Sequence, residues 1–218
     1  MTFTTDEEQR IQAAAEQLEV RTGVQVLAAV IGKADHYPEV PWKAFALATA
    51  LAVLALALRA VLDPPWFAPV HAAADAVIAI GVGLFGALLA LLSPPLARRL
   101  AGSARLQGEV EQSARAFFLE REVFATAQRR GVLLLVSSFE RKLVVLPDTG
   151  LAGRLGSAEL APVIAAMRGP LARGARAEAL LAGLAALEAA LLAAGLRGAA
   201  GSADEIPPEL IQDPGVRP

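Results

Sequence analysis

Residues Ala44–Leu62 read AFALATALAVLALALRAVL, nineteen residues with one charge, Arg59, near the far end. A helix crossing the hydrocarbon core of a bilayer needs roughly 20 predominantly apolar residues, so this run predicts a transmembrane span. A second run, Ala72–Leu92, has Asp75 in its first turn as its sole charge and is long enough to cross back. Prolines at 64, 65 and 69 are expected to break the helix between the two. The pattern predicts a transmembrane helical hairpin over residues 42–98, with spans at about 44–62 and 72–92. A pair of buried core helices would need shorter runs with polar positions on them. Small residues recur every four positions, Ala44/Ala48/Ala52 and Ala79/Gly83/Ala87, which predicts close backbone approach. The whole-chain composition agrees, since 55% hydrophobic residues and a mean hydropathy of +0.49 exceed what an ordinary soluble domain carries.

The flanks orient the hairpin. Lys43 precedes the first span, Arg98, Arg99 and Arg105 follow the second, and the connector carries neither Lys nor Arg. The positive-inside rule then places both termini in the cytoplasm of a multi-pass protein of the cell inner membrane. Trp42 is expected at the inner interface, and Trp66 with Phe67 at the outer one. Arg59 is expected to snorkel to the far headgroups. His71 and Asp75, four residues apart at the outer mouth, read as interfacial caps ahead of a cation or partner contact. The polar, acidic start MTFTTDEEQR predicts no cleaved leader. Lipid is therefore one expected partner. Nucleic acid is not, because 20 Lys+Arg against 22 Asp+Glu leave a net charge of −2. The absence of cysteine excludes disulfides, thiolate nucleophiles and Cys-ligated metal, and His36 and His71 are too few for a His-rich site.

Residues 1–34 and 106–195 are expected to make one discontinuous cytoplasmic domain of α/β (α+β) class, a small sheet with covering helices into which the hairpin is inserted. Thr4 or Thr5 with Glu7 or Glu8 has the form of a capping box, and Ile11, Ala14, Ala15 and Leu18 give a helical face ending at Gly23. Val24–Ile31 reads as a strand covered on both sides. A helix is expected from about Gly108 to Gln128. Gly131–Ser137 and Arg141–Pro147 read as a strand hairpin; placing Glu140, Arg141 and Lys142 in hydrocarbon would cost about several kcal/mol, which rules out a third span there. Helices are expected over Ser157–Met167 and Arg176–Ala194, the second with Leu180, Leu184, Leu187 and Leu191 on the sheet in preference to lipid. Residues 196–218 are expected to be disordered.

Residues 146–150, LPDTG, match two well-known signals, and the context removes both. A sortase signal lies outside the membrane, with an apolar span directly after it, whereas here 68 residues follow Gly150 with no such span next. An aspartic protease needs two facing D-T-G aspartates. Asp-Thr-Gly after a strand is ordinary turn chemistry.

The stretch Phe124–Leu155 resembles the TPM domain, the thylakoid-lumen phosphatase-like domain, and in particular its bacterial membrane-protein branch. The resemblance rests on Thr126, Gly131-Val132-Leu133, Glu140-Arg141 and Asp148-x-Gly150. Glu19-x-x-Thr22-Gly23 and the late DEIPPEL at Asp204–Leu210 extend it over about residues 4–210. It implies acid-phosphatase-like activity, binding of a divalent cation such as calcium, or an accessory role beside a membrane protein complex. Arg130-Gly131 stands where other members often have Asn-Gly, and doubled acidic residues are missing. Asp148, at a strand end, is put forward as the candidate catalytic carboxylate and metal ligand. Glu140 and Arg141 lie at the other end of that strand, roughly 20 Å away at strand rise, and read as solvated turn residues. A noncatalytic interaction module is preferred to a weak metal-dependent hydrolase.

Overall fold

The computed structural model describes residues 3–62, 68–198 and 210–216. The chain divides into two compact units, Met1–Asp35 with Gln107–Pro218, and His36–Leu106.

The first unit begins with helix α1, Thr5–Thr22. Its capping box uses Thr4 and Glu7: the Thr4 N–H donates to Glu7 Oε2 at 2.8 Å, and the Glu7 N–H donates to Thr4 Oγ1 at 3.3 Å. These two bonds satisfy donors that the first helical turn leaves over. The Thr4 N–H, and after it the Thr4 hydroxyl, hold the exposed Glu7 carboxyl below its ordinary pKa. Gly23 ends the helix in the left-handed region, at φ 68°.

Strand β1, Gln25–Ile31, pairs in parallel with β2, Gly131–Ser137; β2 pairs antiparallel with β3, Lys142–Pro147. A short strand β4, Ile211–Asp213, pairs in parallel with the other side of β1, giving the order β3-β2-β1-β4. Side-chain alternation divides the sheet between two cores. Val26, Ala28, Val30, Val132, Leu134 and Val136 face a core shared with α1, α6 (Ser157–Ala172) and α7 (Arg176–Ala193). Leu27, Ala29, Ile31, Leu133 and Leu135 face Val110, Ala114 and Phe117 of helix α5, Ser103–Glu120. Coverage on both faces is why these strands read as unbroken apolar runs. Leu180, Leu184, Leu187 and Leu191 of α7 are buried in the first core, as that stripe predicts.

Three expectations are corrected. The tail is not wholly without structure, because Ile211–Asp213 adds a strand to β1. The Gly32 N–H donates to the Asp213 carbonyl at 2.8 Å, and the Val216 N–H donates to the Lys33 carbonyl at 3.0 Å. The helix expected to run to Gln128 ends at Glu120. Glu122 at φ 50° and Arg129 at φ 53° turn the chain back toward β2. Pro69 does not end a helix but lies in the first turn of one, where its missing N–H costs nothing.

The second unit holds helices α2, Glu39–Leu62, and α3, Ala68–Leu92, followed by the short α4, Pro94–Ala101. At 24 and 25 residues, α2 and α3 are each about 36 Å long and apolar enough to span a membrane. They pack antiparallel through small residues. Ala79, Gly83 and Ala90 are buried on α3, and a Cβ at Gly86 would stand 2.7 Å from the Ala48 Cβ. Gly83 meets Phe45 and Thr49 of α2, and Ala87 lines one hollow with Pro41, Trp42 and Phe45, so the expected four-residue spacing does bring small residues to α2, with Gly86 as a further point of contact. Leu51, Leu54 and Leu58 of α2 and Leu84, Phe85 and Leu91 of α3 point outward, each more than half exposed. Arg59 does not depend on snorkelling alone, since Nη2 reaches both carboxylate oxygens of Asp75 at 3.1 and 3.2 Å. That pairing also occupies Asp75, and His71 is exposed one turn earlier.

Candidate functional site

Asp148 leaves the end of β3 and N-caps a single 3₁₀ turn, Thr149–Leu151. Its residue is 3% exposed. Oδ1 accepts from the Thr149 N–H at 2.6 Å and from Arg129 Nη2 at 3.0 Å, and Arg129 Nε lies 2.9 Å from Oδ2. The Arg129 guanidinium in turn lies over the Phe124 ring, 5.3 Å from its centroid. The 121–130 loop is bound to the same knot. The Asp148 N–H donates to the Gly131 carbonyl, the Gly150 N–H to the Arg129 carbonyl, and the Arg130 N–H to Thr126 Oγ1. A Cβ on Gly150 would collide with the carbonyl oxygens of Gln128 and Arg129, so the loop and turn meet only because glycine stands there.

This arrangement decides what Asp148 can do. A catalytic carboxylate or metal ligand needs a lone pair directed at open space; Oδ1 is taken by the Thr149 N–H and Arg129, while Oδ2 is buried beside the Arg129 guanidinium without a hydrogen bond of its own. A single carboxylate with a guanidinium 2.9 Å from it is a poor donor set for calcium, which takes about six to eight oxygens. Among the described residues no three carboxylates or histidines gather as a metal site.

Glu140 contradicts the expectation of a solvated turn residue. It is 3% exposed, accepts from the Ala34 N–H at 2.9 Å and from the Ser137 hydroxyl, and so ties the strand hairpin to the segment after β1. Glu140 and Asp148 lie at opposite ends of β3, as their spacing requires. The Glu19-x-x-Thr22-Gly23 motif also has a structural use. Glu19 Oε1 accepts from the Val26 N–H at 3.0 Å, and Thr22 Oγ1 donates to the Leu18 carbonyl at 2.7 Å. The DEIPPEL stretch lies outside the described residues except for Leu210, which is buried.

What spacing along the chain does not reveal is a cleft of about 560 Å³ between the strand hairpin and α6. Arg141, Lys142 and Arg168 line it, with Gln107 of α5 at one side and Leu143, Ile164 and Leu171 against it. Arg141-Lys142 is visible as a charged pair in a turn, but nothing in the sequence brings Arg168, 26 residues on, to the same place.

Two comparisons bear on what this unit is. The NMR structure of the BA42 protein from the psychrophilic bacterium Bizionia argentinensis superposes with a TM-score of 0.59 over 97% of this chain and 96% of that one. At 13% sequence identity the likeness speaks for the fold alone. No match to the chain was found among curated proteins. The TPM domain model matches residues 102–190, from the start of α5 through β2, β3 and α6 into α7. The chain thus carries, over residues 102–190, a TPM domain.

Proposed function

We propose that this protein is a membrane-anchored, noncatalytic TPM module of the bacterial membrane-protein branch. In this reading α2 and α3 cross the inner membrane as a hairpin, both chain ends face the cytoplasm, and the α/β unit serves as an accessory or docking piece for a membrane protein complex. The observation that carries it is the outward apolar surface of α2 and α3. Burying one large apolar side chain is worth about 1.5–3 kcal/mol. Leaving the exposed part of all six named above in water, about three-fifths of each, would forgo about 5–11 kcal/mol, comparable to a domain's entire stability of about 5–15 kcal/mol. Lipid is the medium that removes this cost over a length of about 36 Å, and the flanking Lys43, Arg98, Arg99 and Arg105 favour the stated orientation. The hydrolase alternative is disfavoured by the pairing of Asp148 with Arg129.

The lack of cysteine makes the topology directly testable, because an introduced cysteine is the only thiol in the chain. Phe67→Cys should react with a membrane-impermeant maleimide in intact spheroplasts, and Gln9→Cys only after permeabilisation. The opposite pattern, or equal labelling of both, would overturn the orientation. Catalysis is tested by p-nitrophenyl phosphate hydrolysis, wild type against Asp148→Asn, with and without calcium or magnesium. Equal background rates are expected. A metal-dependent rate that Asp148→Asn abolishes would replace this reading with the hydrolase.

A further inference from the structure

We propose that the cleft formed by Arg141, Lys142 and Arg168 is a binding site for a phosphate-bearing ligand. The inference stands apart from the membrane reading, since every lining residue belongs to the α/β unit.

Three cations line one cleft that no carboxylate lines. None of the three side chains has an ion-pair or hydrogen-bond partner among the described residues. Other arginines of the unit have a carboxylate beside them: Arg129 pairs with Asp148, Arg173 with Glu178, Arg21 with Glu188 and Arg10 with Asp6. What sets the cleft apart is that three such cations share one lining with no carboxylate in it. Like charges held together without a counter-ion raise the local positive potential, and a bound anion relieves it. Two guanidiniums and an ammonium offer both forked and point-like donors, which suits the several oxygens of a phosphate better than a single carboxylate.

Backbone conformation adds an independent observation. Arg141 has φ 53°, a left-handed conformation that glycine or asparagine adopts more cheaply. The hairpin therefore places a long cation at a position where a residue without one would be less strained. The apolar side chains Leu143, Ile164 and Leu171 leave room for an organic group attached to the phosphate. The lining includes no histidine, carboxylate, serine or threonine to act on an ester, so the site binds its ligand without cleaving it.

Such a phosphate could be carried by an acidic phospholipid headgroup or by a small soluble ester, and the experiment separates them. The full chain in neutral detergent is titrated calorimetrically with inorganic phosphate, with dioctanoyl phosphatidylglycerol and with dioctanoyl phosphatidylcholine, at constant ionic strength. Inorganic phosphate or phosphatidylglycerol should saturate the wild type. Arg141→Gln/Arg168→Gln should weaken binding about tenfold or more, and Lys142→Met alone should weaken it measurably. Arg154→Gln, an exposed cation after the far end of β3, should leave it unchanged. Tighter binding of phosphatidylglycerol than of phosphate, with no binding of phosphatidylcholine, supports the site and assigns it to a lipid headgroup. Equal or tighter binding of phosphate supports the site and assigns it to a soluble ester. Saturation by neither anion, or equal affinity in wild type and the double variant while both keep the same thermal transition, overturns the proposal.

Discussion

Arg141 sets local stability against recognition. Replacing it with glycine should relieve the left-handed strain and stabilise the α/β unit by about 1 kcal/mol in urea unfolding, while phosphate binding falls. A purely structural Arg141 would give the stability gain with no loss of binding. Glu7 makes a different prediction, one that depends on pH. Its folded pKa lies below the ordinary value of 4.5, so the carboxylate's contribution to the α1 cap is complete above that value and is lost as pH falls through the folded pKa. The stability difference between wild type and Glu7→Gln should therefore be present at pH 7 and close in acid. Thr4→Ala, which removes the N-cap acceptor, should cost about 1 kcal/mol at neutral pH. Of the residues singled out by sequence, Thr4, Glu7 and Gly23 were legible because capping depends on neighbours three or four positions away. Asp148 and Glu140 were not. Their burial depends on Arg129, Ala34 and Ser137, brought in by other segments, and a carboxylate closed by such partners has the same letter as one open to a ligand.

At the scale of elements, close approach is where glycine matters most. On α3, Gly86 faces the Ala48 Cβ at 2.7 Å from where its own Cβ would stand, and alanine has no side-chain rotation by which to yield. Gly86→Leu should force α2 and α3 apart and lower the thermal transition of the hairpin in detergent, whereas Gly81→Leu, whose Cβ would meet nothing, should leave it in place. On the sheet, a Cβ at Gly32 would overlap the Pro214 carbonyl. Gly32→Ala should displace β4 and remove hydrogen-exchange protection from the Ile211–Asp213 amides, leaving β1 and β2 paired. The strands β1, β2 and β3 and the helices α1, α6 and α7 were readable from period and punctuation. Strand β4 was not, because three residues in a polar, proline-rich tail carry no period; what makes them a strand is the open edge of β1.

For the molecule as a whole, the anchoring proposal expects carbonate-washed membranes to retain the full chain, and recovery in the soluble fraction would end it. Sequence alone determined the two apolar helices, the interruption of a discontinuous α/β unit by them, and the alternation of covered strands. Each of these is a matter of run length or period, and hydrophobic burial reads directly from such patterns. Tertiary structure decided the rest: the edge strand from the tail, the closing of Asp148 by Arg129, and the gathering of Arg141, Lys142 and Arg168. Those features depend on which side chains meet across the fold, and charge pairing acts through space over a few ångströms whatever the separation along the chain.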